Sequence, residues 1–203
     1  PATTGALLTP TAGIVVPYMA TIAPLENALQ NGVEVMTDTA FLDFIFEGKK
    51  IIGIKTNHGD FACRWVVGAA GVYADEVMHK AGVRPEFKIT ARRGEYYLLD
   101  QSDIHVDSIL FPVPTESSKG IVVMETTHGN TIVGPNSNPI ADKEDVTVTP
   151  EGMAEIWAGS SKLVPSISQR SIMAMFAGLR ATGNAKAKNV NYSHDFVIEV
   201  AEE

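Results

Sequence analysis

The 203-residue sequence has a single cysteine, Cys63, so no internal disulfide forms and no cysteine-based zinc site is available. No apolar run approaches the ~20 residues of a bilayer-spanning helix, and there is no basic-then-apolar leader. Positive charge is scarce. Lys and Arg number 16 against 24 Asp and Glu, and the net charge of −8 repels nucleic-acid phosphates, which argues against that partner. The five histidines lack metal-like spacing, so no metal is expected. No serine stands in a GxSxG elbow, which leaves a hydrolase reading without support. The nearest-spaced glycines are Gly68 and Gly71, so neither a GxG turn nor a GxxxxGK[ST] loop exists to cradle phosphate. A reducing cytoplasm is the expected compartment.

What is present is an ordinary soluble mixture, 45% hydrophobic and 20% charged, enough for one large domain or two small ones. "PYMATIAPLENALQNG" sets Met19, Ile22, Leu25 and Leu29 at helical spacing and stops at Asn31-Gly32. Pro24 must then lie near the first turn or kink the helix. "VEVM" reads as a short strand. "AFLDFIFEGKKIIGIKT" predicts two strands about the turn "EGKK", with Leu42, Phe44 and Phe46 on one face. A second turn, "NHGD", leads into the strand "FACRWVV" and then to "GAAG" at 68–71, where the near absence of side chains admits tight packing or a ligand. The helix "VYADEVMHKA" follows and ends at Gly82.

From Arg84 the pattern becomes β-rich and antiparallel, through "FKITARRGEYYLLD", "SILFPVP", "KGIVVMET" and "NTIVGPN". Thr149 caps a helix with Pro150 at its first position and Met153, Ile156 and Trp157 inward. "SIMAMFAGLRAT" and "DFVIEV" are the last strands. Arg92 and Arg93 are adjacent on a strand and point to opposite faces, so only one can serve a given pocket. On residues alone both read as solvated. Arg180 ends the apolar run "IMAMFAGL", where a charge needs either an internal carboxylate or an anionic ligand. His128 reads as an exposed histidine of the hairpin turn at Gly129-Asn130, and Cys63 as packing.

In order, "GALLTPTAGIVVP", "VVGAAGVYADEV", "RRGEYYLLD", "FPVP", "THGN", "GPN" and "FAGLRA" resemble the flavin-dependent glycerol-3-phosphate dehydrogenases of the D-amino-acid-oxidase superfamily. The anaerobic-type branch is most similar, with the L-2-hydroxyglutarate oxidases next. The resemblance runs from Gly5 to Glu199. It implies an α/β (mixed α+β) fold made of an incomplete FAD-binding lobe and an antiparallel, β-rich substrate domain. Residues 1–17 would give the first strand of the substrate domain, and 18–83 part of the FAD-binding domain. Residues 84–180 would form the substrate domain, and 181–203 a strand returning to the FAD-binding domain.

By that resemblance the GxGxxG turn precedes this segment and a second glycine-rich segment follows it. The chain is therefore expected to be an excised middle that binds little FAD alone, needs both missing FAD-domain segments, and self-associates through its truncated surfaces. Val35, Ala69, Ala70 and Gly71 would flank the FAD adenosine and pyrophosphate, and Gly94 would lie near the flavin ring. Arg180, Arg93, Tyr96 and His128 would form the substrate pocket for a small anion; no catalytic base is assigned. The implied reaction oxidises glycerol 3-phosphate to dihydroxyacetone phosphate by hydride transfer to FAD, with a quinone or iron-sulfur acceptor and room for peripheral membrane association. The alternatives are a 2-hydroxy-acid or amino-acid oxidase of the same superfamily, and a non-catalytic ligand-binding domain. Gly68 where the family usually has Asn, and Pro24 where it has an aliphatic residue, mark a diverged member.

Overall fold

A computed structural model describes residues 3–84, 87–102, 104–114 and 120–183. Helix α1 (Pro17–Gln30) begins on a proline, whose missing N–H has no helical partner to lose there. Pro24 therefore falls in the helix interior and removes one backbone donor. The helix ends at Asn31, and Gly32 takes a φ of +84°, the left-handed geometry that glycine adopts without strain. No residue of α1 is buried.

Three antiparallel strands follow as a meander: β1 (Phe41–Glu47), β2 (Lys50–Thr56) and β3 (Gly59–Ala62). Of the expected apolar trio only Phe44 is buried, because register shifts on either side of it break the alternation; Leu42 and Phe46 stay exposed. A 3-10 turn (Gly71–Tyr73) leads into α2 (Ala74–Lys80).

The second sheet is built around β4 (Ile89–Leu99). Along one edge β4 pairs with β6 (Thr131–Gly134) and β7 (Asn138–Ile140); along the other it pairs over its whole length with β8 (Ile172–Gly183), and β5 (Val122–Glu125) lies outside β6. All of these pairings are antiparallel, as the sequence predicts. The odd-numbered residues of β4 are buried and the even-numbered ones half-buried. The buried face packs on α3 (Pro150–Leu163), where Tyr97, Leu99, Val123 and Val133 meet Met153 and Ile156. Thr149 caps that helix, its hydroxyl accepting the Gly152 amide at 3.1 Å.

Four sequence expectations are corrected. Residues 3–16 form no strand, "VEVM" forms none, the strand at "FACRWVV" ends at Ala62, and "SILFPVP" contributes only a bridge between Leu110 and Val123. Strand geometry needs a neighbour for its backbone hydrogen bonds; "SILFPVP" meets β5 only at Leu110, and the other three stretches pair with no strand among the described residues. β8, Ile172–Gly183, covers the strand expected at "SIMAMFAGLRAT". The strand "DFVIEV" and the loop "GNAKAKN" lie almost wholly outside the described residues. No helix among the described residues is long and apolar enough to cross a membrane.

Candidate functional site

The pairing of β4 with β8 sets Arg92 opposite Arg180, Gly94 opposite Gly178 and Tyr96 opposite Phe176. Directly opposed residues share a face, so these six form one patch on the side of the sheet away from α3. Tyr96 and Phe176 stack with ring centroids 5.0 Å apart and planes 10° from parallel. Burial pushes the Tyr96 hydroxyl above its ordinary pKa. Next along the strands are the glycines. A Cβ at Gly94 would lie 2.9 Å from the Pro135 Cβ, whereas one at Gly178 would meet nothing within 4 Å. Packing thus explains Gly94, while Gly178 leaves open floor.

The arginines come after the glycines. Arg92 donates from Nε to the Ser137 hydroxyl at 2.9 Å and from Nη2 to the Ser137 carbonyl at 2.6 Å. Arg180 donates from Nη2 to the same hydroxyl at 3.4 Å. Desolvation, then the neighbouring Arg180 charge, lowers the Arg92 pKa. The sequence suggested a buried strand ending in Arg180. Instead β8 is paired on one edge among the described residues, and Met173, Met175, Phe176 and Arg180 are all exposed. Arg180 has no carboxylate partner among the described residues.

Arg93 lies on the opposite face, only 8% exposed. Its Nη1 bonds Asp145 at 2.9 Å, and its Nε is buried without a partner. The structure therefore separates Arg93 from Arg180 and puts Arg92 beside it. The missed signal is strand parity: Gly94 and Tyr96 share a face with Arg92, never with Arg93. His128 is exposed at the hairpin turn, its Nε2 3.1 Å from the Tyr18 hydroxyl at the start of α1.

Behind the patch, Glu95 is fully buried. Its carboxylate accepts the Thr149 amide (2.5 Å), the Thr149 hydroxyl (2.8 Å) and the Asn136 side-chain amide (2.7 Å). Burial would raise its pKa, but the donors from Asn136 and Thr149 outweigh that and hold it below the ordinary carboxylate range.

The small-residue turn is tied to this sheet. Asp75, 3% exposed at the start of α2, accepts the Ile89 amide at 3.0 Å and Lys143 at 3.1 Å. Lys143 also bonds Glu76 at 2.8 Å and lies 5.2 Å from the Tyr73 ring centroid; the Tyr73 hydroxyl donates to Glu144. Ala69, Ala70 and Gly71 thus lead into a segment anchored to the first residue of β4. Gly71, at φ +55°, has open space where a side chain would stand. Val35 is exposed, in chain outside any helix or strand.

Residues 1–200 match the family model described as "FAD dependent oxidoreductase". The chain is 34% identical over 200 residues to a glycerol 3-phosphate dehydrogenase of Caloramator mitchellensis, covering 97% of this chain and 39% of that protein. It is 30% identical over 190 residues to a glycerol 3-phosphate oxidase of Mycoplasma pneumoniae, covering 91% and 47%. A solved structure of L-alpha-glycerophosphate oxidase from Mycoplasma pneumoniae with FAD bound superposes with a TM-score of 0.76 at 30% identity, over 84% of this chain and 45% of that one. The chain thus spans less than half the length of these curated relatives.

Proposed function

The chain belongs to the FAD dependent oxidoreductase family, and on that premise we propose that it forms the substrate face and the central flavin-side segment of an enzyme oxidising glycerol 3-phosphate. The observation that carries this reading is Arg180. It is an exposed guanidinium with no carboxylate partner among the described residues, two positions from the open floor at Gly178. A guanidinium placed so suits the anionic head of a small substrate. The stacked pair Tyr96–Phe176 bounds the far side of that floor.

The residues present fit FAD along one side. Side-chain space is open at Gly71 and Gly178, and the 69–71 backbone is bare and held in place through Asp75. Val35, Ala69, Ala70 and Gly71 would run along its adenosine and pyrophosphate, with Gly94 and Gly178 nearer the ring. No GxG turn lies within the 203 residues, so the rest of the pyrophosphate cradle has to come from outside them. Bound FAD supplies the two-electron acceptor for the oxidation of a secondary alcohol. Arg180 binds and orients the substrate's phosphate. The Glu95–Asn136–Thr149 network keeps β4 in register beneath it.

The test is anaerobic reduction of the flavin-loaded protein by candidate substrates, followed by loss of flavin absorbance. Glycerol 3-phosphate bleaches the flavin under this reading. Bleaching by L-2-hydroxyglutarate or an amino acid in its place overturns the substrate. A protein that takes up no flavin even with the rest of the fold supplied overturns the redox role. Residues 1–203 expressed alone are expected to be colourless.

A further inference from the structure

We infer that Asn136 is a positioning residue of this site: its side chain closes the gap between β6 and β7 and so brings Ser137 onto the face of the sheet where Arg180 stands. This rests on the preceding reading of Arg180 as the substrate anchor, and adds what holds that anchor in place.

Strand register supplies the first half. β6 and β7 meet the same edge of β4, β6 through Tyr97 opposite Val133 and β7 through Arg93 opposite Asn138. Between those pairs, three residues of β4 (94–96) face four of the crossing chain (134–137). The crossing thus carries one residue more than a continuous ladder, as in a β-bulge, where the extra residue re-aims a side chain. Opposed residues share a face, so an unbroken register would set Ser137 across from Arg93, on the α3 side. The extra residue gives that place to Asn138 and turns Ser137 to the other side. There its hydroxyl accepts Arg92 Nε at 2.9 Å and Arg180 Nη2 at 3.4 Å, and its carbonyl accepts Arg92 Nη2 at 2.6 Å.

Asn136 supplies the second half. A bulged crossing leaves backbone groups of its partner strand without ladder bonds, and a buried amide needs an acceptor. Asn136 is 2% exposed, and its Oδ1 accepts the Glu95 amide at 2.8 Å. Its Nδ2 donates to Glu95 Oε2 at 2.7 Å and to Glu155 Oε2 at 3.3 Å. Asn136→Leu would orphan the buried amide, and Asn136→Asp would set a second carboxylate against Glu95. Only an amide meets both demands. One side chain therefore grips Glu95 by backbone and carboxylate together, next to the point where the chain changes face. Pro135 closes on Gly94 from the same crossing, leaving no room for a Cβ there. With 135 and 136 pinned, Ser137 stays beside Arg180, which is exposed on β8 and finds its hydrogen-bond partner among the described residues in that hydroxyl.

Asn136→Ala, Ser137→Ala and Arg180→Ala in the flavin-loaded protein test this. The readouts are melting temperature, KM and kcat with glycerol 3-phosphate, and 15N relaxation of the Arg180 Nε–H, a signal identified by its absence in Arg180→Ala. Ser137→Ala should keep the melting temperature, raise KM about threefold and change kcat less than about twofold. Asn136→Ala should lower the melting temperature and raise KM about threefold or more. In both variants the Arg180 Nε–H should become more mobile. The double variant Asn136→Ala/Arg180→Ala should match the KM of Arg180→Ala within about twofold, because the effect passes through Arg180. A lower melting temperature with KM and Arg180 mobility unchanged makes Asn136 scaffold alone and overturns the inference. A KM effect that multiplies in full with that of Arg180→Ala overturns it too. If Arg180 gains mobility in Asn136→Ala while Arg180→Ala leaves KM unchanged, the positioning stands and the substrate-anchor reading of Arg180 is what has failed.

Discussion

Gly152, in the first turn of α3, presses its Cα side against the carboxylate of Glu95, so that a methyl group there would come within 1.7 Å of Glu95 Oε2. The glycine is a packing requirement. Helix propensity alone would favour alanine at this position by ~1 kcal/mol. Gly152→Ala is expected instead to destabilise by about 2 kcal/mol or more, because the displaced carboxylate leaves Thr149 and Asn136 without their acceptor. Urea unfolding of Gly152→Ala beside Glu95→Ala checks this, and a gain in stability for Gly152→Ala would refute it.

The same carboxylate sets an acid limit. Its folded pKa lies below the ordinary value near 4.5. Its contribution is therefore complete above the unfolded pKa and is lost as pH falls through the folded one. Wild type should lose melting temperature steeply below about pH 4.5, and Glu95→Gln should show a shallower acid limb from a lower plateau. Thermal melts between pH 7 and pH 3 distinguish the two.

Lys143 is expected to tie the small-residue turn to the sheet. Asp75, buried, has its pKa held low: burial would raise it, but the Ile89 amide and Lys143 overcome that. In Lys143→Met the Asp75 carboxylate keeps its backbone donors and loses its counter-charge, so stability should fall by about 1–3 kcal/mol. The acid limb should also become shallower, since the depressed Asp75 pKa moves back toward its unfolded value and less stability is left to lose as pH falls. Hydrogen exchange at Ile89 and in α2 should quicken. Unchanged exchange there would mean that the tie is superficial.

Arg93 and Arg180 should part company in the flavin-loaded protein. Arg180 is exposed, so Arg180→Ala should leave melting temperature and flavin content near wild type while kcat/KM falls at least about tenfold, with Arg180→Lys in between. Arg93 is buried against Asp145, so Arg93→Met should shift the melting temperature and leave KM unchanged. An early-melting Arg180→Ala with normal kinetics would reverse the two assignments.

Local patterns in the sequence determined most of the helices and the β-rich second half. Thr149-Pro150 marks the start of α3 because an oxygen cap and a donor-less residue both suit a helix's unpaired first turn. Asn31-Gly32 and Gly82 mark ends where φ turns positive. The ordered motifs from Gly5 to "FAGLRA" carried the family. Tertiary structure decided what depends on partners distant in the chain. "VEVM" and the tail of "FACRWVV" are strand-like in composition, yet a strand exists only beside another, and the described residues supply none there. Period-two alternation says that Arg92 and Arg93 face opposite ways, but not which face is the pocket. The pairing of β4 with β8 chose Arg92, since it laid Arg180 across from Arg92 and turned Arg93 under the sheet toward Asp145.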